Sequence, residues 1–288
     1  MKTAWIFPGQ GSQYLGMGKD LYEKTDLGKQ YYKTAEKILA YDIQSIIFKG
    51  PEDLLNNTKY TQPSIYITSV ILGKILIKNG RNPDAVAGHS LGEYSALAIS
   101  DSFSFETGLE LVKVRAESME KAGKLSNGAM AAIIGLEEKQ VQSICASCKD
   151  EGLVVLANYN APSQFVVSGS YDAVIEVIQQ AKNLGAKLAM KLKVSGAFHS
   201  PLMKPAREKL AKTLDSIKFK DPKFPLFNNV NSKTILKGGE IKESLIQQLV
   251  KPVLWTKSIL EMKNFGIKSF LEVGPGKVLQ GLNKRIDR

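Results

Sequence analysis

Five consecutive residues constrain this chain more than any others. Gly88-His89-Ser90-Leu91-Gly92 follows a short apolar run, Ala85-Val86-Ala87, and precedes a stretch with helical patterning. A serine between two glycines at a strand-to-helix junction predicts a nucleophile elbow, a tight turn that lifts the hydroxyl clear of a sheet. Glycine at both ends allows close backbone approach and a strained turn. The following helix offers unpaired N–H groups to a developing oxyanion. A plain loop serine is the alternative, and the strand–turn–helix setting argues against it. That setting also belongs to a largely parallel α/β sheet.

The rest of the chain supports this class. Residues 4–7 read as a short buried strand that ends at Pro8-Gly9, and residues 20–40 as a helix. Gln62-Pro63 opens an apolar helix over 64–78, and Asn79-Gly80 and Pro83 punctuate its end. The middle follows a different rhythm. Strands are expected at 129–134, 153–157, 164–168 and 187–194, with helices at 137–149 and 171–184. The second and third strands join through Asn158-Tyr159-Asn160-Ala161-Pro162. In the last strand Leu188, Met190, Leu192 and Val194 alternate with Lys187, Ala189, Lys191 and Lys193. The order βαββαβ predicts a ferredoxin-like subdomain over 126–194, inserted into a larger domain made of 1–125 and 195–288.

A serine hydroxyl needs a base, and the chain has two histidines. His89 adjoins Ser90 on the elbow and points away from it, as a structural turn residue. His199, in the loop between Gly196 and Pro201, is the candidate base. Many carboxylates could orient it, and spacing does not choose among them. The Phe7-Pro8-Gly9-Gln10-Gly11-Ser12-Gln13 loop fits neither phosphate-binding fingerprint, because Tyr14 replaces the third glycine and Asp20 follows Gly18-Lys19. It suits an oxyanion-hole donor instead.

Cys145 and Cys148 lie on one helical face with Val141 and Ile144, which reads as buried thiols. A zinc site would need two more ligands, so no metal is expected. The apolar run Ile65–Ile77 is short for a membrane span, and no secretory signal is visible, so a cytoplasmic protein is expected. The net charge of +11 favours anionic partners. Five arginines and no recognition motif argue against nucleic acid. A monomer is expected, since no coiled-coil seam appears.

Six blocks in order give the chain a resemblance over nearly its whole length to the malonyl-CoA:acyl carrier protein transacylase family. They are Phe7–Gln13, Tyr60-Thr61-Gln62-Pro63, Gly88–Glu93 with Arg115, Asn158–Gly169, Gly196-Ala197-Phe198-His199-Ser200 and Glu272-Val273-Gly274-Pro275-Gly276. The resemblance implies an α/β-hydrolase-like domain with a ferredoxin-like insertion. It implies that Ser90 is acylated with His199 as its base, and that Gln10 and Leu91 donate backbone N–H groups to the oxyanion. Arg115 would bind the malonyl carboxylate, with Gln62 lining the pocket and supporting it. The backbone carbonyl of Gln248 would orient His199 in place of a triad acid. Leu91 and Phe198 match the malonyl-type motifs. No cofactor is implied; the coenzyme A thioester is a substrate, and the partner is an acidic, phosphopantetheinylated acyl carrier protein. Fatty acid synthesis is the commoner setting. A discrete acyltransferase or acyl hydrolase of polyketide assembly, and a non-catalytic carrier-binding subunit, are the other readings.

Overall fold

The structure, a computed structural model, describes residues 1–287; Arg288, the last residue of the expected larger domain, lies outside the described residues. Among the described residues nine strands form two sheets. The first contains β1 (Thr3–Phe7), β2 (Ala85–Gly88), β7 (Leu226–Phe227), β8 (Thr234–Ile235) and β9 (Ser269–Glu272), in the order β8-β7-β2-β1-β9. β1 pairs in parallel with β2 and β9, β2 in parallel with β7, and only β8 is antiparallel. Both faces are covered, as parallel sheets require. Trp5, Phe7 and Val86 belong to one core, and Ala4, Ile6, Ala85 and Ala87 to another on the opposite face.

The second sheet contains β3 (Gly128–Ile134), β4 (Val154–Ala161), β5 (Gln164–Ser170) and β6 (Leu188–Lys191), all antiparallel, in the order β4-β5-β3-β6. Helices Glu138–Ser147 and Tyr171–Asn183 supply Val141, Ile144, Val174 and Val177 to a core with Ala131, Ile133 and Val167. Those strand residues alternate with Met130, Ala132 and Val166, which turn the other way and line a cleft. β4 is also joined to the larger body through Val253, which stands just before helix Trp255–Asn264. Asn158 bridges Val253, with Tyr159 N–H donating to Val253 O and Val253 N–H to Ala157 O, both at 2.9 Å.

Four expectations are corrected. The helix expected over 20–40 is two helices, Lys19–Lys24 and Asp26–Leu39, because Thr25 breaks the run and caps the second by accepting from Gly28 N–H. The apolar helix starts at Thr58, not 64, and carries Pro63 inside it. Asn57 caps it by accepting from Lys59 N–H, a start signal upstream of the proline. The expected connection 158–162 is mostly strand: β4 runs to Ala161 through two register shifts. Bulges let a strand re-aim polar side chains without ending. Finally, the strand expected over 187–194 is shorter, β6 ending at Lys191; it buries Ala189, while Leu188 and Met190 are exposed. The small residue faces the helices, where space is short, and the large ones continue the cleft face of Ile134 and Ala132 across the ladder. Cys145 and Cys148 are buried and free.

Candidate active site

β2 delivers the chain to Ser90 in a left-handed conformation, φ 51°. This is unfavourable for a residue with a Cβ and marks a site whose surroundings over-determine it. The two flanking glycines are sterically required. A Cβ on Gly88 would stand 1.9 Å from the Gly92 carbonyl carbon, and one on Gly92 would stand 2.0 Å from Phe7 O. The second clash shows that the elbow is wedged against the end of β1, where the Pro8–Ser12 loop begins. Gly274, with φ 153°, braces that loop from the other side, since its Cβ would meet Pro8 and Ser69 at 2.6 and 2.5 Å.

Ser90 Oγ lies 2.8 Å from His199 Nε2. His199 Nδ1 lies 2.8 Å from the backbone carbonyl of Gln248. A carbonyl only accepts, so Nδ1 carries the proton and Nε2 is left to accept from the serine. His199 also has a left-handed backbone, φ 57°. Its loop is pressed onto helix Phe105–Ser126, where a Cβ on Gly123 would sit 2.0 Å from Ser195 O. Burial and the nearby Arg115 charge push the His199 pKa down to about 3. The imidazole is therefore neutral and able to accept a proton throughout the neutral range.

Helix Phe105–Ser126 points Arg115 at the same hydroxyl. The side chain is 1% exposed. Nη2 donates to Ser90 Oγ at 2.9 Å and to Gln248 Oε1 at 3.0 Å, and Nη1 donates to Gln62 Oε1 at 2.6 Å. Its Nε has no partner among the described residues. The guanidinium stands 5.4 Å from the Tyr94 ring centre. A buried cation this close to a nucleophile is costly to keep, which makes it a candidate binding group for an anion.

The remaining expected residues fall around this trio. Neither the Gln10 nor the Leu91 backbone N–H donates to a protein acceptor among the described residues, and both residues line the cleft. Phe198 is buried and forms part of the apolar wall with Met119, Met130 and Val166. His89 lines the same cleft but hydrogen-bonds neither Ser90 nor His199 through its side chain; its Nε2 meets Asn160 Oδ1 at 2.8 Å. That contact ties the elbow to the bulged end of β4.

Three contributors were missed. Asn229 accepts Ser90 N–H on Oδ1 at 2.7 Å and donates from Nδ2 to Gly88 O at 2.6 Å, which clamps the elbow. Glu93 Oε2 accepts from Asn229 N–H and from Gln248 Nε2, both at 3.0 Å. The Gln248 side chain, expected to matter only through its carbonyl, also donates to Ser90 O at 3.0 Å. Glu93 sits in the Gly88–Glu93 block and was the one legible signal. The other two lie far away along the chain, with no motif of their own.

The cleft holds about 550 Å³ between the two sheets. A hollow of about 620 Å³ lies on the far face of the parallel sheet, between helices Trp255–Asn264 and Val278–Ile286. It is lined by lysines and apolar side chains and has no nucleophile–base pair, so the chemistry belongs to the cleft. No cluster of metal-ligating residues occurs among the described residues.

Comparison with known proteins finds relatives over the whole chain. The family model described as "Acyl transferase domain" matches residues 4–286. A malonyl CoA-acyl carrier protein transacylase of Bacillus subtilis is 43% identical over 288 residues, covering 100% of this chain and 91% of the relative. The solved malonyl CoA-acyl carrier protein transacylase of Coxiella burnetii superposes with a TM-score of 0.97 at 39% identity, covering 100% of this chain and 92% of the other. A malonyl-transacylase solved in complex with a type II PKS acyl-carrier protein gives 0.96 at 39%, covering 100% and 93%.

Proposed function

The chain belongs to the acyl transferase domain family, and from that premise we propose how its residues divide the work of moving malonyl from coenzyme A to an acyl carrier protein. It is an acyl carrier protein S-malonyltransferase. The observation that carries the residue assignment is Arg115, fully buried with its guanidinium 2.9 Å from Ser90 Oγ. A carboxylate held there sits beside the nucleophile, which a hydrolase of unsubstituted acyl groups has no use for.

Ser90 Oγ attacks the thioester carbonyl as its proton passes to His199 Nε2. The oxyanion forms against the Gln10 and Leu91 N–H groups. Collapse breaks the carbon–sulfur bond, and the coenzyme A thiolate leaves with the proton from His199. In the second half the pantetheine thiol gives its proton to His199 and attacks the malonyl-serine ester, and Ser90 recovers the proton as it departs. Gln248 O holds the imidazolium formed midway, in the role a carboxylate fills elsewhere. Arg115 and Gln62 hold the malonyl carboxylate, with the planar guanidinium suited to two parallel bonds. The same carboxylate offsets the Arg115 charge that weakens His199, so a malonyl substrate strengthens its own base. Phe198, Met119, Met130 and Val166 limit water beside the ester.

We read 126–194 as the ferredoxin-like insertion, supported by the strand order β4-β5-β3-β6 and the two helices on one face. The parallel-sheet remainder is the α/β-hydrolase-like catalytic body. Every reactive group comes from one chain, so a monomer suffices. No helix among the described residues is long and apolar enough to cross a membrane; with free thiols at Cys145 and Cys148, we place the enzyme in the cytoplasm. Fatty acid synthesis is the proposed setting. Polyketide assembly is the second reading, favoured by the solved relative that holds a type II PKS carrier.

The test is Arg115→Ala, read as the ratio of kcat/KM for malonyl-CoA over acetyl-CoA. Removing the partner of a desolvated carboxylate should lower that ratio by about two orders of magnitude or more. Arg115→Lys should restore it in part. An unchanged ratio removes Arg115 from the role.

A further inference from the structure

Glu93 and Arg115 are both fully buried, and Glu93 makes no ion pair among the described residues. The Gln248 amide stands between them. Its oxygen accepts from Arg115 Nη2 at 3.0 Å, and its NH₂ donates to Glu93 Oε2 at 3.0 Å. Oε2 also accepts from Asn229 N–H. Oε1 has only the Ser244 hydroxyl, 3.5 Å away, which is long for a hydrogen bond. One oxygen is thus fully engaged and the other nearly idle.

An uncompensated charge in such a place is expensive. In the empty site Glu93 balances Arg115 through the amide. A malonyl carboxylate seated on Arg115 sets a second anion against the same cation. We propose that malonyl binding makes Glu93 take up a proton on Oε1, so that this residue sets the pH range over which the site accepts a carboxylate-bearing acyl group. The inference rests on Arg115 as the carboxylate site. The balance is one proton in from solvent for each malonyl bound to the ionised form, and none for acetyl. Ser244, half-buried on helix Gly238–Gln248, can accept a hydrogen bond from the new O–H. Glu93 is a positioning residue here; it touches no reacting atom.

The surroundings favour the step near neutral pH. Burial pushes the Glu93 carboxyl up to about 7, against the opposing pull of Asn229, Gln248, Arg115 and Ser244. Titratable or charged groups bearing on it are Arg115 from helix Phe105–Ser126 and Tyr94 on its own helix, whose hydroxyl stays protonated because burial raises it. Asn229, Ser244 and Gln248 are neutral. His199, at about 3, is silent in this range.

The experiment measures kcat/KM for malonyl-CoA and acetyl-CoA from pH 6 to pH 9, a quantity that reports ionisations of the free enzyme. The malonyl-to-acetyl ratio should fall about tenfold as Glu93 ionises, and Glu93→Gln, which mimics the protonated acid, should flatten it. A flat ratio in the wild type, or the same slope in Glu93→Gln, overturns the inference. If Glu93→Gln does not fold, calorimetry of malonyl-CoA binding to Ser90→Ala in two buffers of different ionisation heat decides. Uptake of about half a proton at pH 7 is expected, with none for acetyl-CoA; no uptake for malonyl-CoA overturns it. Arg115→Ala separates the two readings. If it collapses the malonyl preference while the wild type shows no pH trend, only the Glu93 step is wrong. If it leaves the preference intact, the carboxylate site itself is wrong.

Discussion

The two sheets meet at one cleft and are built by different rules. The parallel sheet is buried on both faces, and the ends of β1 and β2 run straight into the Pro8–Ser12 loop and the Ser90 elbow. Its strand ends hold the proposed nucleophile and oxyanion-hole donors, and glycines at 88 and 92 leave no room for displacement. The antiparallel sheet packs its own two helices on one face. Its other face turns toward the large body and offers Met130, Ala132 and Val166 as a wall of the cleft, and its edge strand exposes Leu188 and Met190 among lysines. On the proposed assignment rigid backbone positions the reacting atoms, whereas the antiparallel sheet shapes the cleft, and its lysine-bearing edge is the proposed docking surface for the carrier. Losses in the first region should therefore be chemical and large, and losses in the second graded and small.

The contrast is sharpest at Ser90. Ser90→Ala should abolish the malonyl-enzyme seen by intact mass after incubation with malonyl-CoA. Labelling that persists would move the nucleophile off the elbow and break the division. His199→Ala should come next, slowing both half-reactions by about 10²–10⁴-fold, measured by single-turnover acylation and deacylation. Near-normal rates at neutral pH would leave Ser90 activated by something other than the 2.8 Å contact.

On the other side of the cleft the effects should shrink. Asn160→Ala removes the 2.8 Å contact to His89 and so loosens the tie between β4 and the elbow. A hydrogen bond of this kind contributes about 1 kcal/mol net, so kcat/KM should fall by less than about tenfold. A loss as large as that of His199→Ala would show that the small sheet takes part in positioning the reacting atoms. Smallest of all should be the charge effect. Lys187 and Lys191 are exposed on and beside β6. Changing both to glutamate should slow transfer to the acidic carrier a few-fold and steepen with falling salt, while transfer to a small thiol stays level. Equal slowing for both acceptors would count against docking on this edge.

Much of the large region was legible because its signals are local. Gly88 to Gly92 carries the turn, the strain and the proposed nucleophile within five residues, and the choice of His199 followed from having only two histidines. The middle segment was legible as an element order, but not in its details. Asn158–Ala161 looked like a loop because asparagine and proline normally mark one, and only pairing with β5 and Val253 keeps it a strand. The alternation in 187–194 was visible, yet period-2 patterning does not say which face is inside, and only the packing shows that Ala189 is buried while Leu188 and Met190 are exposed.

What the sequence determined by itself is the parallel α/β body and the elbow that carries Ser90, together with the proposals of His199 as base and, through family resemblance, of Arg115 as the carboxylate site. These depend on short-range sterics, or on residue types too rare in the chain to leave alternatives. What only the tertiary structure decided is the shared cage of Glu93, Asn229 and Gln248. These residues come from three segments more than a hundred positions apart at the extremes, and Gln248 reaches Ser90, His199 and Arg115 at once. The physical reason is burial. A buried polar group must find a partner, but any residue with the right donor or acceptor can satisfy it, so the pairing leaves no spacing in the chain to read.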